Sequence, residues 1–124
     1  MRDFRGLQVW QKSHNLVLDL YQSTKTFPHD ERYGLVSQVR RCASSIAANI
    51  AEGCGCKGNG EFHRFLQIAA GSGSELDYHL LLAKDLGYLT EVEYRRMTRS
   101  LTDVRRMLSA LMQRVERERL EAKC

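Results

Sequence analysis

The chain has 124 residues, of which 43% are hydrophobic and 27% are charged. This length supports one domain with a single core, and this composition excludes a disordered chain. The formal charge of +4 comes from 19 Lys and Arg against 15 Asp and Glu, which is too small to indicate nucleic-acid binding by itself. We therefore expect a single globular domain over residues 1–124.

The sequence also carries no sign of membrane insertion or export. No apolar run approaches the ~20 residues that a membrane-spanning helix needs, and the N-terminal stretch MRDFRGLQVW lacks the apolar segment of a signal peptide. A domain of this size does not need disulfides, and Cys42 lies on a predicted core stripe. We expect a cytoplasmic protein without membrane contact, with its four cysteines as reduced thiols.

The first predicted helix covers about residues 7–25. Leu7, Trp10 and Val17 belong to an apolar pattern with spacings of three and four. The single proline, Pro28, ends this segment, because proline lacks a backbone donor and disfavours helical geometry in the residue before it. A chain with one proline and no alternating β-branched runs favours long helices throughout.

The second predicted helix covers about residues 31–53 and carries two parallel lines of side chains. The apolar line predicts a core face and consists of Leu35, Val39, Cys42, Ile46 and Ile50. The polar line consists of Gln38, Ser45, Asn49 and Glu52, with Ser72 and Glu75 on the next helix opposite it. Two interpretations fit this polar line: a contact with a ligand or nucleic acid, or a hydrogen-bond network between helices or subunits. We favour the network, because a buried polar group without a partner costs ~1–3 kcal/mol.

The third predicted helix covers about residues 60–86, after a glycine-rich loop at 53–60 that cannot stay helical. Its middle, AAGSGSE at 69–75, would ordinarily predict a loop, since each interior glycine costs ~1 kcal/mol relative to alanine. We expect it to stay helical because its small residues match those of the second helix and permit close packing. Gly87 follows as a typical residue after a helix C-terminus.

The fourth predicted helix covers about residues 91–117. Thr90 and Glu93 have the spacing of a capping box, and apolar residues recur at spacings of four and three from Met97 to Val115. The charged tail from about Glu116 is expected to fray. Four amphipathic helices with short links predict an all-α fold, an antiparallel up-down four-helix bundle.

Most of the basic residues are arginines, which suit bidentate phosphate contacts. At 100° per residue, Arg95, Arg99 and Arg106 fall within about 20–40° of one another, and Arg96 flanks them. Arg40 and Arg41 form a pair on the second helix. These six arginines form either a nucleic-acid interface or a solvated face with local ion pairs.

Patterns for metal, cofactor or catalytic chemistry are incomplete. Cys54, Cys56 and His63 lack a fourth zinc ligand of suitable spacing. Glu75 and His79 lie four apart and are not repeated, unlike the Glu-x-x-His pairs of di-metal bundles. The glycine loop follows a helix and lacks the Gly-Lys-Ser/Thr ending of a phosphate-binding loop. We expect no metal, no cofactor and no enzymatic activity.

Four segments in order give the chain a family resemblance: FRGLQVWQKS, FPHDERYGLVSQVRRCASSIAANIAEG, EFHRFLQIAAGSGSEL and LAKDLGYLT. The chain resembles the bacterial four-helix-bundle proteins encoded by intervening sequences in 23S ribosomal RNA genes. It departs from the family pattern at Ala47, where Pro is frequent, and at Ala70, where Arg is frequent. The resemblance implies an up-down bundle that assembles into a homopentamer without established enzymatic activity.

A related group implied by the same resemblance contains accessory proteins of diversity-generating retroelements, which are basic pentamers that bind reverse transcriptase and nucleic acid. Our leading hypothesis is therefore a non-enzymatic oligomeric scaffold that binds RNA, DNA or a ribonucleoprotein through its arginine-rich helix faces. The alternative is a protein-interaction module, such as an accessory subunit of a reverse transcriptase, without nucleic-acid binding of its own.

Overall fold

Four long helices make up most of the computed structural model, which describes residues 2–122 and has no β-strand in that range. The helices are α1 (Gln8–Ser23), α2 (Leu35–Cys54), α3 (Asn59–Asp85) and α4 (Glu91–Ala122). Single 3₁₀ turns lie before α1 at Phe4–Gly6 and between α1 and α2 at Thr24–Thr26 and His29–Glu31. None of the helices in the described range is long and apolar enough to cross a membrane.

One hydrophobic core receives an apolar stripe from each helix. The stripes on α2 and α4 are the predicted ones, and among their residues Val39, Ile50 and Met97 are fully buried. The α3 stripe includes Phe62 and Leu80, which are also fully buried. Apolar residues at spacings of three and four thus all reach the same core, as expected for amphipathic helices.

Side-chain contacts between neighbouring helices pair their residues in opposite chain order. On α2 and α3, Ser45 lies beside Ser72, and the more N-terminal Arg41 reaches the more C-terminal Glu75. Between α1 and α4, Asp19 binds Arg96. Each helix therefore packs beside its sequence neighbours, and α4 packs back against α1.

Helix α2 begins at Leu35, four residues after the predicted start. Glu31 lies in a 3₁₀ turn, and its Oε1 accepts a hydrogen bond of 3.1 Å from the Leu35 backbone N–H. The carboxylate satisfies one of the unpaired N–H groups at the start of the helix. A Cβ at Gly34 would lie only 2.7 Å from the same Oε1, so glycine leaves room for this cap. Helix α1 likewise ends earlier than predicted, at Ser23, and continues as a 3₁₀ turn.

The predicted helical course of the AAGSGSE segment is confirmed, since α3 is continuous through it. The prediction that these glycines permit close packing of α3 against α2 is wrong within this chain. A Cβ at Gly71 would have no atom within 4 Å, and a Cβ at Gly73 would make ordinary contact with Arg105 Cγ at 3.6 Å. The tight helix contact lies at Gly53 instead, where a Cβ would lie 2.8 Å from Phe62 Cδ1.

The connection from α3 to α4 follows its sequence signals. Gly87 has φ of 80°, and the N–H groups of Gly87 and Tyr88 donate to the carbonyls of Lys84 and Ala83, which is a Schellman motif. The capping box is also confirmed: Glu93 N–H donates to Thr90 Oγ1 and Thr90 N–H donates to Glu93 Oε1.

The C-terminal end of α4 differs from the prediction of a frayed tail, because the helix is continuous to Ala122. Val115 is buried in the core, and Arg119 donates to the Glu116 carboxylate one turn earlier. Local ion pairing of this kind supports a helix beyond its last core residue.

Candidate nucleic-acid interface

Three of the predicted arginines line one shallow groove on the outer face of α4. The groove has a volume of about 340 Å³ and is lined by Arg95, Thr98, Arg99, Thr102, Asp103 and Arg106. The groove exists because these residues recur at spacings of three and four along a helix whose opposite side enters the core. Three arginines against one aspartate make it electropositive.

The arginines of this groove differ in their partners. Arg95 Nε donates to Glu91 Oε1 at 3.1 Å, an exposed pair within one helix. Arg99 and Arg106 make no ion pair or hydrogen bond with any residue in 2–122. Exposed pairs contribute little, so the positive charge available to a ligand comes chiefly from Arg99 and Arg106.

Threonines supply the polar floor of the groove. Thr98 Oγ1 donates to the Tyr94 carbonyl at 2.8 Å, and Thr102 Oγ1 donates to the Thr98 carbonyl at 2.8 Å. These hydroxyl hydrogens are committed to the helix backbone. Their oxygens can still accept hydrogen bonds, which suits sugar hydroxyl groups better than phosphate oxygens.

A neighbouring hollow between α1 and α4 was not predicted from the sequence, and it is lined by Lys12, Asn15, Ser100 and Asp103. Asp103 is shared with the arginine groove. Lys12 has no ion pair with any residue that the structure describes, so it adds a cation near the groove. Lys12 lies on α1, so the helical spacing of residues within α4 could not predict that it lies beside the groove. The hollow forms only because α1 packs on α4.

The other three predicted arginines are held by structural contacts. Arg40 donates to Thr24 Oγ1 at 2.9 Å and its guanidinium lies 4.5 Å from the ring centroid of Tyr21. Arg96 makes a two-point contact with Asp19, at 3.0 and 3.1 Å, which raises the pKa of the guanidinium. Arg41 belongs to the contacts between α2 and α3.

The contacts therefore divide the six predicted arginines into two sets of three. Arg40 and Arg96 hold α1 against α2 and α4, which periodicity within one helix could not show. Arg41 donates to Glu75 Oε2 at 3.2 Å and to Gln38 Oε1. Arg95, Arg99 and Arg106 are the three that share one groove, and the binding role of all six remains a prediction.

Five of the six residues of the predicted polar network lie in two groups between α2 and α3. In one group, Ser45 Oγ lies 2.8 Å from Ser72 Oγ, and Asn49 Nδ2 donates to Ser45 Oγ at 3.0 Å. In the other group, Gln38 and Glu75 are joined by Arg41. These groups cross the helix seam at Ser45–Ser72 and Arg41–Glu75.

Glu52, the sixth residue, stands apart from both groups. Its side chain is exposed, and only its backbone carbonyl accepts hydrogen bonds, from the Gly55 N–H and the Cys56 thiol. Within one chain Glu52 is therefore separate from the two groups, and a role for it between subunits remains a prediction.

A mixed cluster of Cys42, Glu75 and His79 lies beside the second polar group. The Cys42 sulfur, a Glu75 carboxylate oxygen and a ring nitrogen of His79 all lie within 4.8 Å of one another. Burial raises the pKa of the Cys42 thiol to about 11, and the negative charge of Glu75 acts in the same direction. The sequence spacing of Glu75 and His79 was visible, but Cys42 joins them only through helix packing.

The loop cysteines are arranged differently. Cys56 Sγ donates to the Glu52 carbonyl at 3.6 Å, and His63 Nδ1 lies 3.8 Å from a Glu116 oxygen. Cys54 is buried, and burial raises the pKa of its thiol. Cys42, Cys54 and Cys56 are free thiols, whereas Cys124 lies outside the described residues.

Comparison with known proteins identifies a family and a similar fold. The family model described as 23S rRNA-intervening sequence protein matches residues 5–110. A crystal structure from Bacteroides thetaiotaomicron VPI-5482, described as a protein with unknown function from the S23 ribosomal protein family, is similar with a TM-score of 0.78. The two chains are 24% identical over 84% of this chain and 97% of the other, which shows the fold. No curated protein matches the sequence.

Proposed function

The chain belongs to the 23S rRNA-intervening sequence protein family, and from this premise we propose that it is a non-enzymatic scaffold that binds RNA or DNA. The observation that carries the proposal is the groove of Arg95, Arg99 and Arg106, which contains two arginines without protein partners. Binding of this kind depends on phosphate charge, so it is electrostatic and tolerant of sequence.

The spacing of the two unpaired arginines suits a chain of phosphates. Arg106 lies seven positions after Arg99, so the two are about two helical turns and ~10 Å apart along the axis. That distance places them on different phosphate groups of one strand. The Thr102 oxygen between them can accept from a sugar hydroxyl, and Lys12 extends the positive field toward α1.

We also propose that the four helices form an antiparallel up-down bundle that assembles into a homopentamer. The cross-helix contacts Ser45–Ser72, Arg41–Glu75 and Asp19–Arg96 support the bundle, and the family resemblance supports the pentamer. Five copies would multiply the formal charge of +4 to +20. A ring with that charge attracts nucleic acid more strongly than one chain does.

Fluorescence anisotropy with labelled single-stranded and structured RNA tests the binding proposal. The double variant Arg99→Ala/Arg106→Ala should bind more weakly than the wild type. Its slope of log affinity against log salt should be smaller by about 1.4 for a single strand, because each lost phosphate contact removes ~0.7. Arg114→Ala/Arg117→Ala is the matched control, since it removes the same charge from exposed positions on α4.

Two results would contradict the proposal. The first is no binding by wild-type protein at micromolar concentration and low salt. The second is an equal loss of affinity in the two double variants. That result would show that affinity depends on the total charge of the protein and that no defined arginine interface exists.

A protein-interaction module is the second candidate function. An apolar groove between α1 and α4 favours it, with Leu7, Val9, Met107 and Leu111 among its lining residues. A partner such as a reverse transcriptase is what the family resemblance implies. A pull-down that captures the same partner after nuclease treatment, from wild type and from the Arg99→Ala/Arg106→Ala variant alike, would favour this function.

A further inference from the structure

The cluster of Cys42, Glu75 and His79 brings together three different metal-binding groups from two helices. Glu75 and His79 lie one turn apart on α3, so they share one face of that helix. Cys42 reaches them from α2, within the 4.8 Å that encloses all three donor atoms. Among residues 2–122, no other three such side chains come this close.

The imidazole of His79 is incompletely satisfied. Its Nε2 lies 3.2 Å from Glu75 Oε2, which is a hydrogen bond, whereas Nδ1 is buried and has no hydrogen-bond partner. When Nδ1 carries the proton, Nε2 presents its lone pair toward the Glu75 carboxylate. The separation of 3.2 Å between Nε2 and Oε2 is close to the distance between two ligand atoms of one tetrahedral zinc ion.

We propose that Cys42, Glu75 and His79 form a binding site for one Zn²⁺ ion per chain. The observation that carries this is the enclosure of three different donors within 4.8 Å, with His79 Nε2 facing the Glu75 carboxylate at 3.2 Å. Sulfur, nitrogen and oxygen donors together match the ligands that zinc takes in proteins, whereas Mg²⁺ and Ca²⁺ select oxygen alone.

The geometry requires a modest closure of the three side chains. Zinc bonds of ~2.3 Å to sulfur and ~2.0–2.1 Å to nitrogen place tetrahedral ligand atoms about 3.5 Å apart. The longest separation here therefore shortens by about 1.3 Å at most. Three protein ligands leave the fourth position of the ion to a water molecule.

The charges of the site also balance when zinc binds. The Cys42 S–H bond breaks, its proton passes to solvent, and the sulfur forms a bond to the ion. One thiolate and one carboxylate then offset the two charges of Zn²⁺. Arg41 keeps its contact with Glu75 Oε2, 3.2 Å away, and Gln38 holds Arg41 in turn, so the carboxylate is positioned by an outer pair of side chains.

Cobalt substitution tests the site with a direct spectroscopic signal. Full-length protein is freed of metal with a chelator and titrated with Co²⁺. We expect saturation at one ion per chain, with a thiolate-to-cobalt charge-transfer band that disappears when Zn²⁺ is added. Cys42→Ser should abolish the band, and Glu75→Gln should weaken binding about tenfold or more.

The control variant Cys56→Ser/Cys124→Ser retains Cys42 and should keep the band at full intensity. Circular dichroism checks that each variant is folded. If Cys42→Ser does not fold, the variant His79→Gln tests the site instead. Zn²⁺ should raise the Tm of the wild type and leave the Tm of His79→Gln unchanged. The proposal is overturned by no charge-transfer band in wild-type protein, by a band that survives in folded Cys42→Ser, or by equal Zn²⁺ effects on wild type and His79→Gln.

Discussion

At the residue scale, Gly53 marks the closest approach of two helices. A Cβ at this position would lie 2.8 Å from Phe62 Cδ1 and 3.1 Å from Phe65 Cβ. Phe62 is fully buried, so its ring cannot move aside without disturbing the core. Hydrogen in place of a side chain therefore lets the end of α2 meet the start of α3.

Gly53→Ala should lower the free energy of unfolding by about 1–3 kcal/mol, because the added methyl group overpacks this contact. Gly71→Ala is the matched control. Its Cβ would meet no atom within 4 Å, so the variant should gain up to ~1 kcal/mol from better helix propensity. Urea denaturation of both variants measures the difference, and equal effects would contradict the close contact at Gly53.

Cys54 adds a pH dependence at the same end of α2. Burial raises the pKa of its thiol above the ordinary value of 9.0 in the folded chain. Between these two pKa values the unfolded chain has lost the thiol proton while the folded chain keeps it. The stabilisation is therefore complete below about pH 9 and decreases as the pH rises through the folded pKa.

The free energy of unfolding of wild-type protein should fall more steeply above about pH 9 than that of Cys54→Ala. Chemical denaturation at a series of pH values measures this difference, and other titrating groups cancel in the comparison. Cys56→Ala, which removes a partly exposed thiol, should follow the wild type. Parallel curves for wild type and Cys54→Ala would refute the expected effect.

At the element scale, the start of α4 depends on a reciprocal pair of hydrogen bonds. Thr90 and Glu93 each accept a bond from the other's backbone N–H, at 3.1 and 3.0 Å. Together these bonds satisfy two donors that no helical carbonyl can reach.

Thr90→Ala should lower the free energy of unfolding by about 0.5–2 kcal/mol, since it removes one side of this cap. Thr102→Ala is the control, because Thr102 is exposed in the middle of α4 and its hydroxyl bonds only to the backbone one turn earlier. That control should change stability by less than ~0.5 kcal/mol. Thermal or urea unfolding of the two variants checks the difference, and similar losses would argue against the cap.

At the scale of the whole molecule, the outer face of α3 has apolar side chains that the core does not cover. Ile68, Tyr78 and Leu81 are 42%, 59% and 41% exposed in one chain. Assembly of several copies would bury such side chains and gain ~25 cal/mol for each Å² of apolar surface removed from water. This is consistent with the proposed homopentamer.

Light scattering should give a mass near five times the 14.3 kDa of one chain. The Arg99→Ala/Arg106→Ala variant should have the same mass, because its changes lie on α4 away from the apolar residues of α3. A monomer at micromolar concentration would contradict the assembly. A variant of lower mass would instead place the arginine groove at the subunit contact.

By itself, the sequence determined the four helices and most of their ends, because these depend on signals within a few residues of one another. The spacing of Val39 and Ile50 predicted a core face, and the capping box at Thr90 predicted a helix start; both are found. The later start of α2 was not visible, because Glu31 acts through space on the Leu35 N–H.

Only the tertiary structure decided which polar side chains bind a neighbouring helix and which have no partner. Arg96 and Arg99 look alike in the sequence, yet Arg96 binds Asp19 on α1 while Arg99 has no partner among residues 2–122. Cys42 likewise looks like a core residue until packing brings it to Glu75 and His79. The physical reason is that helical periodicity sets which side a residue occupies, whereas the register between helices sets which residue it meets.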